Sequence, residues 1–131
     1  MTPCIEEAHR LLRIAERDIH TFRILVAHPE AALAALGFHA KQCVEKSLKA
    51  VLTTHGVDFP PTHNLEKLAG LAIAQGVSLP ISTRELRKLN PFAVETRYND
   101  EVIELLTRED ASLIAEQTLV WARTIVTQAG A

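Results

Sequence analysis

The residues best placed to do chemistry lie between His39 and Lys49. At about 100° per residue on a helix, His39, Gln42, Glu45, Lys46 and Lys49 fall within about 120° of one another. Glu45 and Lys49 form an i,i+4 pair in the favourable order, worth a few tenths of a kcal/mol when exposed. Two readings of this face are open. One is a solvated helix surface with internal ion pairs. The other is a partly buried charged groove that holds a phosphate or a partner's carboxylate.

A second cluster is Glu95-Thr96-Arg97-Tyr98-Asn99-Asp100, held close to the apolar Pro91-Phe92-Ala93-Val94. Arg97 is suited to bidentate recognition of a phosphate or carboxylate, and Tyr98 to stacking or to donating a hydrogen bond. Arg97 can equally pair with Glu95 or Glu45 and pin this segment onto the rest of the protein. The six histidines include no His-Glu-x-x-His pair and no two at i,i+4, so no metal ligands and no cofactor are expected. His63 precedes a helix and suits a capping or hinge role. No Gly-x-Ser-x-Gly elbow, Walker-type loop or Gly-x-Gly-x-x-Gly occurs, which removes support for those enzyme classes.

The elements that must position these residues are helical. Of 131 residues, 47% are apolar but only 5% aromatic, so the core must be built from Leu, Ile, Val and Ala. Fourteen basic and sixteen acidic side chains give a formal charge of -2, which argues against a general nucleic-acid-coating protein. Cys4 and Cys43 suit a reducing cytosol better than a disulfide scaffold. No apolar run is long enough to span a membrane, and no targeting feature precedes the first helix. A soluble, cytoplasmic, single domain over residues 1–131 is the expectation.

Ile5, Ala8, Leu12, Ala15, Ile19, Phe22 and Val26 form the apolar stripe of a first helix that His28-Pro29 ends. Leu11, Ile14 and Leu25 lie off that stripe and need cover, from other helices or from a second copy. A second helix is expected from about Glu30 to His55 on the stripe Leu33, Leu36, Ala40, Val44, Leu48 and Val51, with Gly56 as its stop. The tight turn between the two makes them an antiparallel hairpin. A short third helix runs from Asn64 to Gln75. Ser82-Thr83-Arg84-Glu85 opens a fourth that Asn90-Pro91 terminates or kinks, and Phe92 to Asp100 is expected to continue as helix. Thr107-Arg108-Glu109-Asp110 caps the last helix, which should bury Ala111, Ile114, Trp121 and Ile125. The fold class is all-α, an up-and-down bundle of four to five helices.

Three motifs occur in one order. Phe38-His39-Ala40-Lys41-Gln42-Cys43-Val44-Glu45-Lys46-Ser47-Leu48-Lys49-Ala50 resembles the second-helix signature F-x-A-Q-Q-A-x-E-K-x-L-K-A of the HEPN family. Phe59-Pro60-Pro61-Thr62-His63-Asn64-Leu65 is similar to its P-x-T-H-D-L connection, and the segment from Asn90 to Tyr98 to its late Y-x-x-x-R-Y element. The resemblance implies a homodimeric helical bundle, often encoded beside a minimal nucleotidyltransferase in toxin–antitoxin-like pairs, with a nucleotide-binding or RNA-processing role. By position it implies Gln42, Glu45, Lys46, Lys49, His63, Arg97 and Tyr98 as ligand-binding residues.

The chain departs from the family's nucleases, which carry a late Arg-x4-6-His motif. No histidine follows His63, and the Arg13/His20 and Arg23/His28 pairs lie in the first helix without the polar residue after the Arg. Tyr98 directly follows Arg97, so it does not match the tyrosine that is nucleotidylated in toxin members. The leading reading is therefore a non-catalytic or weakly catalytic module that binds a nucleotide or a nucleotidyltransferase. The alternatives are a metal-independent ribonuclease toxin with an atypical site and a structural dimerisation partner.

Overall fold

The structure is a computed structural model that describes residues 3–92 and 106–130. Among these, all regular secondary structure is helical: α1 Pro3–Val26, α2 Leu33–Thr54, α3 Leu65–Ala74, α4 Thr83–Arg87, a 3-10 turn Asn90–Phe92, and α5 Arg108–Ala129. The expected helical bundle is what the chain forms. The proposed continuation of α4 through Asp100 lies outside the described residues from position 93 onward.

α1 buries its stripe as the spacing requires, with Leu11 also inside and Val26 only half-buried. Leu25 packs partly against the same core, and Ile14 is half-buried. α1 runs antiparallel to α5. Two ion pairs record the register: Arg23 to Glu116 at 2.6 Å, and Arg123 to Glu16 at 2.9 Å. His39 of α2 reaches Asp18 of α1 at 3.0 Å.

α2 begins at Leu33, three residues later than the sequence suggests, and Arg108 supplies the reason. Its guanidinium donates to the carbonyls of Val26 (2.9 Å), His28 (2.8 Å) and Ala31 (3.0 Å), and more weakly to Leu25 (3.4 Å). A cation thus caps the C-terminus of α1, where carbonyls lack helical partners. The same group holds the turn after Pro29 in a non-helical path.

α2 and α3 end alike. Gly56 and Gly76 adopt φ of +66° and +80°, and the following valines donate back five residues, Val57 to Leu52 and Val77 to Ala72. These are Schellman caps, for which a left-handed residue is needed. Ser82 accepts from Glu85 and Thr107 from Asp110, the caps that the sequence reads, whereas at α3 the cap is Asn64, which accepts from Glu66 and Lys67. α4 is shorter than its pattern suggests and stops at Arg87.

α5 corrects one expectation. Ala111 and Ile114 are buried, but Trp121 and Ile125 are half-buried, and Ala115, Leu119, Ala122 and Val126 fill the core instead. The burial face is rotated because Trp121 lies at its edge, where its indole N–H donates to the Ser78 carbonyl at 2.9 Å. α2 is packed on most of its circumference by α1, α3, α5 and the 3-10 turn, and so carries the centre of the molecule.

Candidate functional site

The charged face of α2 is inside the protein. Glu45 and Lys41 are fully buried, and Lys49 is 8% exposed. The reading of this face as a solvated helix surface is therefore overturned at these positions. Burying charge is costly unless each ion is paired and hydrogen-bonded, and the Glu45 carboxylate meets that condition from three sides. Lys41 and Lys49, one turn before and after it, donate to Oε1 at 2.5 Å and Oε2 at 2.9 Å. His63 Nδ1 lies 3.1 and 3.0 Å from the two oxygens. Lys46 Nζ stands at 3.7 Å.

His63 arrives there because the start of α3 is fixed twice. Asn64 caps the helix, and Asn90 Oδ1 accepts the Leu65 N–H at 2.9 Å. The connection between α2 and α3 is thereby drawn over Glu45, and Phe59 of that connection lies under Lys49, with Nζ 5.8 Å from the ring centroid. The expected capping or hinge role of His63 is replaced by this contact, since Asn64 does the capping.

Burial alone would raise the Glu45 carboxyl, but hydrogen bonds from Lys41 and Lys49, with that of His63, outweigh it and hold the group down at about 2. Glu45 is therefore an acceptor only, which makes His63 Nδ1 the donor and leaves Nε2 free of that contact. Burial also pushes Lys41 below the ordinary lysine value, against the pull of Glu45. The Cys43 thiol is raised to about 12 by burial, which leaves it inert as a nucleophile.

Of the residues singled out from the sequence, Glu45, Lys46, Lys49 and His63 come together. Gln42 is half-buried, and its side chain hydrogen-bonds to none of the described residues. Arg97 and Tyr98 lie outside the described residues. Lys41 was missed. It stands where the signature quoted above has glutamine, and its i,i+4 spacing to Glu45 was the available signal. Among the described residues no three His, Cys, Asp or Glu side chains converge to hold a metal ion.

The side chains of the cluster differ in access. His63 is 69% exposed and Lys46 22%, whereas Glu45 and Lys41 are sealed. The arrangement gathers four basic side chains around one buried carboxylate, three of them partly exposed, and such a surplus of donors is chemistry suited to an anion. A surface hollow of 280 Å³ that shares Phe59 is flanked by Glu7 and Asp58, so an anion would meet the lysine side rather than that one.

The family model of the HEPN domain matches residues 8–125 of the chain. No curated protein and no solved structure matches it.

Proposed function

The chain belongs to the HEPN family, and on that premise we propose that it is a binding module whose polar site, centred on Glu45, takes a nucleotide or docks a nucleotidyltransferase partner. The observation that carries this reading is the excess of cations around one carboxylate: Lys41, Lys46 and Lys49 surround Glu45, with His63 at the open edge. Structural neutrality would need only one of them. Gln42 flanks the site, and Arg97 and Tyr98 are proposed to complete it. The reading includes a single cytoplasmic domain, a homodimer, and a role in a toxin–antitoxin-like pair.

Calorimetric titration with adenine and guanine nucleotides tests the reading, beside Lys49→Ala and Arg97→Ala. Binding by the wild type that falls about tenfold or more in either variant, with helix content intact, is the expected result. A wild type that binds no nucleotide and captures no nucleotidyltransferase would sink it. Cleavage of single-stranded RNA that survives EDTA would favour the ribonuclease reading instead.

A further inference from the structure

We infer that the rim of Lys46, Lys49 and His63 recognises a phosphomonoester dianion in preference to a phosphodiester, because the buried Lys41 neutralises Glu45 and leaves two lysine charges over. This inference rests on the reading of the site as a nucleotide-binding one and narrows its ligand class. Lys41 and Glu45 are both fully buried and in direct contact. The Lys41 ammonium and the Glu45 carboxylate cancel to no net charge. Lys49 then uses one N–H toward Glu45 and retains others, and Lys46, at 3.7 Å, is held near the carboxylate without a hydrogen bond to it. Two ammonium groups and an imidazole thus stand around the carboxylate, each partly exposed, with no further counter-ion among the described residues.

Such a surplus suits an anion of matching charge. A terminal phosphate carries about -1.5 to -2 at neutral pH and three acceptor oxygens. An internal phosphodiester carries a single charge and two free oxygens, so it satisfies one lysine and leaves the other unpaired in a site with little water. Lys46 is 22% and Lys49 11% exposed at the side chain, which limits how far solvent can compensate. Lys41 contacts no ligand in this scheme and is a positioning residue. It frees Lys49 and Lys46 from Glu45.

Titration of the full chain with AMP, 3′,5′-cyclic AMP and adenosine decides the matter, since the three share base and ribose. AMP should bind about tenfold or more tightly than cyclic AMP. Lys41→Gln should weaken AMP about fivefold or more and narrow that gap, because Glu45 then consumes a rim lysine. Lys41→Arg keeps a buried cation beside Glu45, so its AMP affinity should stay within about twofold of wild type. Equal binding of AMP and cyclic AMP by the wild type overturns the inference while leaving a nucleotide site in place. So does a Lys41→Arg variant as weak as Lys41→Gln, which would make Lys41 a matter of shape. A wild type that binds neither AMP nor cyclic AMP removes the nucleotide reading itself. If Lys41→Gln does not fold, the wild-type comparison and Lys41→Arg still decide.

Discussion

Glu45 accepts hydrogen bonds from Lys41, Lys49 and His63 in a place that water does not reach. Glu45→Ala leaves Lys41 as a buried cation without a counter-ion, and should cost about 3–5 kcal/mol in chemical denaturation. Acid should reveal the same group. Its folded value near 2 lies below the ordinary 4.5, so its contribution is full above pH 4.5 and is lost as pH falls toward 2. The stability advantage of wild type over Glu45→Gln should therefore shrink across that window. A pH-independent difference would assign the destabilisation to packing. Spacing alone made Glu45 and Lys49 legible, since i,i+4 neighbours meet on any helix. Lys41 stands at the same spacing, but its burial with Glu45 was not legible, because the covering groups, His63 and Phe59, come from 18 and 10 residues beyond Glu45 and Lys49 in the chain. Burial created by a distant loop has no periodic trace.

At the scale of the element, Arg108 joins two helices and a turn through one side chain. Arg108→Ala should cost about 2 kcal/mol, as charge-assisted bonds to otherwise unpaired carbonyls do. Amide exchange should speed up between Val26 and Ala31 more than in α2. Uniform loss of protection would instead mean that Arg108 acts on the whole fold. Gly37 sits inside α2, where glycine weakens a helix by about 1 kcal/mol relative to alanine. Its reason is Phe92: a Cβ at Gly37 would lie 2.6 Å from the buried ring. Gly37→Ala should be net destabilising by about 1–2 kcal/mol in thermal or urea melts, despite the gain in propensity. Caps at Ser82 and Thr107 could be read from residue type, because a capping bond spans three residues. The start of α2 could not, because the group that diverts it is 77 residues away.

For the whole molecule, apolar periodicity was enough to give an all-helical bundle and the order of its helices, whereas the rotation of α5 depended on what Trp121 meets. The proposed second copy belongs to this scale. Leu113 and Val120 stand seven residues apart on α5 and are 52% and 57% exposed, a stripe that would be covered in a dimer. Sedimentation velocity should give a dimer for the wild type and a monomer of unchanged helix content for Val120→Glu. A monomeric wild type would end the proposal. A last consequence concerns the pairs Glu16–Arg123 and Arg23–Glu116. Each helix carries a glutamate followed seven residues later by an arginine, so the two segments spell the same word. Read in opposite directions, the copies match letter against letter. Read in the same direction, glutamate would face glutamate and arginine would face arginine. Exposed pairs of this kind add about 1 kcal/mol or less to stability, but the repulsion they would suffer in the other orientation is added to that difference. What the four residues encode is which way round α1 and α5 meet, information that a sum of attractive contacts does not contain.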